Sequence, residues 1–131
     1  MTLQVELVSP EEVVFSGECS EVVARTTDGE IAFLTGHSPF IGALAVGDVQ
    51  LWTGDGVMSI AVGGGFIEVS HDVVTILSDS ALLEGRIDVA QAEADLAAAE
   101  AALAADPDDE AATTARQWAE HRLRRADETR G

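Results

Sequence analysis

Short runs in which apolar and polar residues alternate fill about the first two thirds of the chain. Leu3 to Leu7 is the clearest of them, because every second side chain is apolar and therefore lies on one face of a strand. Comparable runs recur at intervals of about 8–12 residues, with turns rich in Gly, Asp and Pro between them. The pattern predicts about eight to ten strands in an antiparallel sandwich or barrel. A parallel sheet is not expected, since no crossover helix has room to form.

Glycines set the predicted strand boundaries in the second half of this β region. The run Gly63–Gly65 separates a predicted strand at Val57–Val62 from another at Phe66–Ser70. A phosphate-binding loop would need the spacing GxxxxGK[ST] and a helix behind it, whereas a strand follows here and the chain has no lysine. We therefore predict a turn or bulge that requires positive φ or close packing. Gly47 is expected to separate two further short strands.

After Ile87 the hydrophobic period changes from two to between three and four. The first helical segment presents a narrow apolar seam of Val89, Ala92, Leu96, Ala99 and Leu103. A second segment, with a mostly alanine face, follows the break at Asp106-Pro107. Together they predict an antiparallel two-helix hairpin with helices of roughly 17–20 residues. The predicted fold class is α+β, with an antiparallel β-sandwich at residues 1–86 and a helical hairpin at residues 87–131.

Polar residues mark the ends of both predicted helices. Asp88 precedes the first helix and Gln91 follows three positions later, which is the spacing of a capping box. Asp106 is placed to cap the second helix, with Pro107 at its first position. Arginines in the last turns of that helix would complement the helix dipole. Because most seam positions are alanine, the helices should form readily but dock weakly.

The net charge of -17 is unevenly distributed along the chain. Residues 88–115 hold eight acidic side chains and no basic one, whereas residues 116–131 hold five arginines and three acidic side chains. An acidic surface repels phosphate backbones and anionic headgroups, so nucleic-acid binding is not expected. Direct lipid insertion is not expected either, because no apolar run approaches the roughly 20 residues of a membrane span. The acidic excess favours solubility, but the arginines at the far end need a separate explanation.

Candidate chemistry is sparse. Cys19 has no second cysteine and no cationic neighbour in sequence, which predicts an inert thiol. His37 has no second His, Cys or paired carboxylate nearby, so neither a zinc site nor a Ser–His–acid triad is indicated. We expect no catalytic residue, no cofactor site and no metal site, and hence no enzyme active site in this chain.

An ordered series of short motifs, extending over essentially the whole chain, resembles the epsilon subunit of the bacterial F-type ATP synthase. No single motif is specific, but their order, their spacing and the change from strands to helices match. The series consists of Ser9-Pro10, Phe15-Ser16-Gly17, Asp28-Gly29-Glu30-Ile31, Gly36-His37-Ser38-Pro39, Gly64-Gly65-Phe66-Ile67-Glu68-Val69, Val73-Val74-Thr75-Ile76-Leu77 and Ile87-Asp88.

The resemblance implies a rotor component in the central stalk of a proton-translocating ATP synthase. In that family the sandwich grips the gamma subunit and contacts the loops of the membrane-embedded c-ring. The positions implied for the c-ring contact are Glu30 and His37, whose carboxylate and imidazole can form charge-assisted hydrogen bonds with basic and polar loop groups. The implied location is peripheral, at the cytoplasmic face of the bacterial plasma membrane.

The resemblance also implies a regulatory role for the hairpin, which in bacterial members inhibits ATP hydrolysis. Basic residues of the second helix there meet acidic loops of the catalytic alpha and beta subunits, and the corresponding candidates in this chain are Arg116, Arg122, Arg124 and Arg125. The other interpretation is that these arginines only complement the helix C-terminus, which leaves Arg116 unexplained.

One departure from the family concerns nucleotide. Some members bind ATP at the base of the hairpin through the pattern [I/L]-D-x-x-R-A, and here Gln91 replaces the arginine. No cation occurs between Arg86 and Arg116, so a triphosphate would meet mainly carboxylates. We therefore predict weak or absent ATP binding, with Asp88 and Gln91 serving as a helix cap.

Two other function classes remain open on sequence. A free-standing ligand- or carbohydrate-binding sandwich would want surface aromatics, yet the chain has 2 Trp, 4 Phe and no Tyr. A cupin-type metalloenzyme would want clustered histidines, whereas His37, His71 and His121 fall in unrelated elements.

Overall fold

The computed structural model describes residues 2–83 and 86–130, apart from the side chains of residues 129 and 130. The remaining positions, which the predicted ranges include, lie outside the described residues. The chain divides into two compact units, residues 1–84 and 85–131. The first holds the strands and the second holds the helices.

The β unit contains eight strands within the described residues. Their bounds are β1 Leu3–Val8, β2 Val13–Cys19, β3 Glu21–Thr26, β4 Gly29–Leu34, β5 Phe40–Thr53, β6 Gly56–Ser70, β7 Val73–Leu77 and β8 Ala81–Leu83. They are hydrogen-bonded in the order β2-β1-β7-β6-β5-β3-β4, with β8 added on β6. All of the pairings are antiparallel except that of β1 with β7, which is parallel and was not predicted.

Strands β5 and β6 are long enough to belong to both layers of a sandwich. The first half of β5 pairs with the second half of β6, which in turn pairs with β7. The second half of β5 pairs with β3, and the first half of β6 pairs with β8. Side chains that point inward from both layers form one core of buried residues, whose largest members are Phe33, Leu3, Leu7, Leu51, Ile60, Ile67 and Ile76.

The three consecutive glycines bend β6 where the prediction placed a strand boundary. Gly64 and Gly65 have φ of 107° and 131°, a region that favours glycine. A Cβ on Gly65 would collide with the carbonyl oxygen of Leu77. Positive φ and close packing are therefore confirmed, but β6 continues through the glycines as one strand. Gly47 likewise lies within β5, so the predicted pairs of short strands are two long ones.

Helices α1 (Val89–Ala105) and α2 (Glu110–Arg130) pack against each other through alanine. The predicted seam of α1 is only partly buried, because Ala92 and Ala99 are buried while its leucines stay partly exposed. The buried alanines of α2 are Ala112, Ala119 and Ala126, which recur every seven residues. A seven-residue repeat keeps one face of a helix on its partner, and small side chains let the two backbones approach closely. No helix of the described residues is long and apolar enough to cross a bilayer.

The turn between the helices differs from the prediction. Asp106 ends α1, where its N–H donates to the carbonyl of Ala102, and its carboxylate accepts from the N–H of Asp108 at 3.1 Å. The residue that caps α2 is Asp109, whose Oδ1 accepts from the N–H of Ala112 at 3.0 Å. Pro107 therefore lies in the turn and not in the helix. Since α2 extends to residue 130, the arginines of residues 122–125 precede its last turn.

Candidate functional site

The loop that carries His37 is held from two sides. His37 lies edge-on to the buried ring of Phe33, with 4.8 Å between ring centroids. Its Nδ1 donates to the carbonyl oxygen of Ser38 at 2.7 Å, which leaves Nε2 as the nitrogen available to a partner. Gly36, at φ 82°, donates its N–H to Oδ1 of Asp72 at 2.7 Å. The imidazole is therefore presented by a braced loop.

The brace comes from the turn between β6 and β7. His71 and Asp72 both have positive φ, 52° and 61°, which is uncommon outside glycine but tolerated by these residue types. The carbonyl of Asp72 also accepts from the N–H of Gln4, so the turn ties β1 to the loop. Asp72 was not identified from the sequence as part of this site, although Asp is a residue that favours such a conformation.

Glu30 and His37 lie at opposite ends of β4. Glu30 is the second residue of that strand, is exposed, and lies opposite Arg25 in the β3–β4 pairing. His37 follows the end of the strand by three residues. Among the described residues no hydrogen bond or ring contact joins the two side chains. The two side chains therefore do not form a single cluster, and each would make its own contact with a partner.

An apolar row crosses the outer face of the layer that contains β1, β7, the second half of β6 and the first half of β5. In the paired strands Ala43, Phe66, Leu77 and Val8 stand side by side, and they alternate with core residues along each strand. Phe66 is 61% exposed and Leu77 is 53% exposed. An exposed Leu alone needs no explanation, but a contiguous apolar row is a candidate interaction surface. The hydrophobic pattern could have shown it, since Phe66 interrupts the polar side of β6.

A groove lies along this row. It has a volume of about 320 Å³ and is lined by Val8, Ser9, Pro10, Gly65, Phe66, Leu77, Ser78 and Asp79. Ser78 closes one side, because its hydroxyl donates to the carbonyl of Gly64 at 2.6 Å. Carboxylates of Glu6 and Glu68 stand one row away on the same face. The surface suits the side chains of a protein partner better than a small anionic ligand.

The four candidate arginines of α2 have different surroundings. Arg116 pairs with Glu120 at 3.7 Å, with both side chains exposed, whereas Arg125, which pairs with Glu128 at 2.9 Å, has a side chain only 17% exposed. Arg124 is exposed. Arg122 is only 7% exposed, and its Nη2 donates to Oδ2 of Asp95 on α1 at 2.9 Å. The arginines therefore do not form one free basic patch.

The base of the hairpin is a network of side chains on α1. The carboxylate of Asp88 accepts from the N–H of Gln91 at 3.0 Å, so Asp88 caps the helix. The Gln91 side chain does not return to the cap, as a full capping box would require, but donates to Oδ1 of Asp95 at 2.8 Å. This hydrogen bond, followed by that from Arg122, lowers the pKa of Asp95 below its usual value.

Cys19 is buried in the core of the β unit, and its burial raises the pKa of the thiol. A protonated, buried thiol is a poor nucleophile and a poor metal ligand. No group of three or more potential metal ligands occurs among residues 2–83 and 86–130.

Comparison with known proteins adds an independent observation. Residues 2–84 match the family model described as ATP synthase, Delta/Epsilon chain, beta-sandwich domain. An ATP synthase epsilon chain of Alkalihalophilus pseudofirmus is 43% identical over 93 residues, which cover 71% of this chain and 70% of the relative. An ATP synthase epsilon chain of Frankia casuarinae is 49% identical over 84 residues, 63% of this chain and 99% of the relative.

Among solved structures, a chain in the mitochondrial ATP synthase of Euglena gracilis (OSCP/F1/c-ring) has a similar fold. The TM-score is 0.73 at 22% identity, and the alignment covers 99% of this chain and 82% of the other. A chain of the Tetrahymena thermophila mitochondrial ATP synthase, from a structure of the central stalk and c-ring, gives a TM-score of 0.57 at 13% identity. The first of these likenesses includes the helical unit, which the family model does not reach.

Proposed function

The chain belongs to the ATP synthase delta/epsilon family, and from that premise we propose that it is a non-catalytic epsilon subunit in the central stalk of an F-type ATP synthase. The observation that carries this proposal is the match of residues 2–84 to the family's sandwich model. It replaces the carbohydrate-binding and metalloenzyme interpretations. Co-purification with the ATP synthase from solubilised membranes tests it, and a chain that is never found with the complex would contradict it.

For the sandwich we propose docking of the gamma subunit on the apolar row of Ala43, Phe66, Leu77 and Val8. The row is the exposed apolar surface that a stable protein interface would bury, and the groove beside it has room for a partner's side chain. The aromatic ring of Phe66 is the natural anchor.

A matched pair of variants tests this docking. Phe66→Ser should weaken binding to the complex by about tenfold or more, because an aromatic anchor is lost from the interface. Val57→Ser removes a comparably exposed apolar side chain from the other end of β6 and should bind like the unmodified chain. Equal binding by both variants, measured by titration onto complexes stripped of this subunit, would place the gamma contact elsewhere.

We further propose that Glu30 and His37 contact the c-ring loops. Support comes from the exposure of Glu30 and from the braced loop that leaves Nε2 of His37 available. Glu30→Gln and His37→Ala should each reduce ATP-driven proton pumping by membranes reconstituted with the variant. Glu18→Gln, which removes an exposed carboxylate from β2, serves as the control. Unchanged pumping in both variants would contradict the assignment.

For the hairpin we propose inhibition of ATP hydrolysis through contacts of Arg116, Arg122, Arg124 and Arg125 with the catalytic subunits. The arginines are the concentration of positive charge in an otherwise acidic chain. Adding the full chain to the catalytic head should slow hydrolysis, and a chain truncated before Asp88 should bind without slowing it. If both slow hydrolysis equally, the hairpin is not the inhibitor.

Nucleotide is not proposed as a ligand of the hairpin. Gln91 and Arg122 both donate hydrogen bonds to Asp95, so the polar groups nearest the hairpin base are already partnered. Millimolar ATP should leave the amide signals of α1 and α2 unchanged, and a saturable shift would contradict this. We propose that the subunit is peripheral and acts at the cytoplasmic face of the plasma membrane through these protein contacts.

A further inference from the structure

In the part of the chain that the structure describes, the two helices pack through buried alanines and are joined by an ion pair between Asp95 and Arg122. Arg122 lies three residues after Ala119 and four before Ala126, so it occupies the face of α2 that packs on α1. Its guanidinium donates to Asp95 at 2.9 Å, its Nε donates to the carbonyl oxygen of Trp118 at 3.4 Å, and its Cζ lies 5.1 Å from the Trp118 ring. The side chain of Arg122 is 8% exposed, that of Asp95 39%.

This arrangement makes the closed hairpin depend on the Asp95–Arg122 pair. Each buried alanine contributes little apolar area, so packing alone holds the helices weakly. A desolvated guanidinium is costly unless it is paired, and removing its partner leaves a buried charge without compensation. Gln91 fixes the other carboxylate oxygen of Asp95 at 2.8 Å and so holds the acceptor in place. The pair is satisfied only when α1 and α2 lie side by side in this register.

We propose that the Asp95–Arg122 ion pair is a conformational switch that holds the hairpin closed and withholds Arg122 from any partner. Separation of the helices breaks the pair and exposes a guanidinium on α2 and a carboxylate on α1 in one step. The pair is a property of the isolated chain. The consequence for ATP hydrolysis, in which the released arginine reaches the catalytic subunits, rests on the proposed function.

Hydrogen exchange of the full-length chain tests the switch without any partner. Asp95→Asn and Arg122→Gln should each accelerate exchange of the α1 and α2 amides by about tenfold. The first variant removes the negative partner of the buried guanidinium, and the second removes the positive partner of the Asp95 carboxylate. Amides of the β unit should be unchanged, which shows that the variants are folded. Glu120→Gln removes one negative charge from an exposed pair within α2 and should exchange like the unmodified chain.

The exchanged pair Asp95→Arg with Arg122→Asp separates charge attraction from packing. Restoration of slow exchange toward the original rate supports the switch. Exchange as fast as in the single variants would overturn it, and so would single variants that are no faster than Glu120→Gln.

Inhibition assays then extend the switch to function. Asp95→Asn, which loosens the hairpin but keeps all four arginines, should inhibit ATP hydrolysis by the catalytic head several-fold more strongly than the unmodified chain. If exchange accelerates as expected while neither protein inhibits, the proposed inhibitory function fails and the switch stands. If Asp95→Asn inhibits more strongly with unaltered exchange, the switch is wrong.

Discussion

The β unit and the helical unit are stabilised in opposite ways. The core of the β unit is built mainly from large aliphatic side chains and Phe33, which come from six strands, β1 and β3 to β7. Each such side chain contributes about 1.5–3 kcal/mol when fully buried. Among the described residues of the helical unit, those classed as buried are five alanines and Arg122. A methyl group contributes only about 0.8 kcal/mol, so the hairpin gains much less from burial and relies more on the contact between Asp95 and Arg122.

The difference teaches how one short chain can contain a rigid part and a changeable part. The strands should lose their core together, because their buried side chains form one cluster, and so they should unfold as one unit. The helices are locally stable through alanine propensity, whereas their mutual contact is weak. Opening of the hairpin should therefore occur at a free energy well below that of global unfolding.

The largest expected effect is a substitution that breaks the rigid part. Gly65→Ala should destabilise the β unit by about 3 kcal/mol or more, because a Cβ there meets the Leu77 carbonyl and the residue has φ of 131°. Gly54→Ala is the control, since a Cβ at that turn position meets nothing within 4 Å. Urea unfolding followed by Trp52 fluorescence measures both. Similar midpoints for the two variants would contradict the account of the β6 bend.

Overpacking of the alanine interface should act on the other unit alone. Ala119 is fully buried, so Ala119→Leu forces the helices apart and should destabilise the hairpin by about 2 kcal/mol. Ala101→Leu adds the same atoms on the exposed side of α1 and should have little effect. Site-resolved hydrogen exchange of the α1 and α2 amides measures the stability of the hairpin in both variants. Exchange of the β-unit amides should be unchanged in Ala119→Leu. Faster exchange there would show that the two units are not independent.

A smaller, local effect is expected at the brace of the His37 loop. Asp72→Ala removes the acceptor of the Gly36 N–H and places alanine at φ 61°, which should cost about 1–2 kcal/mol. Asp72→Asn keeps an acceptor oxygen and a residue type that tolerates this conformation, so it should remain close to the original stability. Exchange of the Gly36 amide reports the loss directly. An unprotected Gly36 amide in the unmodified chain would contradict the brace.

The smallest effect should come from acid. The pKa of Asp95 is lowered in the folded state by the hydrogen bond from Gln91 and then by that from Arg122. Its contribution to the closed hairpin is therefore present above the unfolded-state pKa of about 3.9 and is lost as pH falls through the lower folded value. In a Trp52→Phe background, Trp118 fluorescence should change below about pH 4. Asp95→Asn should abolish this fluorescence change. If the change persists in the Asp95→Asn variant, a group other than Asp95 causes it.

Much of the fold follows from the sequence because strand and helix periods are local signals. The alternation in Leu3–Leu7 and the three- and four-residue spacing after Asp88 both correspond to real elements. The strand boundary predicted at the glycines 63–65 was wrong, because a positive φ can bend a strand as well as end it. β8 was missed because three residues are too short to show a period.

The site was less accessible from sequence, for physical reasons. Arg122 was counted as a surface charge, because a hydrophobic pattern does not recognise an arginine whose partner lies on another helix. The apolar row across β1, β7, β6 and β5 depends on strand order, and the parallel β1–β7 pairing that creates it joins residues from opposite ends of the β unit. Asp109, and not Asp106, caps α2, because each of several acidic residues in that turn can supply the carboxylate.

The parallel pairing of β1 with β7 has a consequence for how the polypeptide is made. Strand β1 has its neighbour on one side, β2, almost as soon as it leaves the ribosome, but its other neighbour, β7, is complete only when residue 77 has been added. Until then the backbone N–H and C=O groups on one edge of β1 are unpaired, and they can form hydrogen bonds with a wrong strand. Completion of the sheet is therefore a late, long-range event, whereas the helices that follow can coil as soon as they emerge.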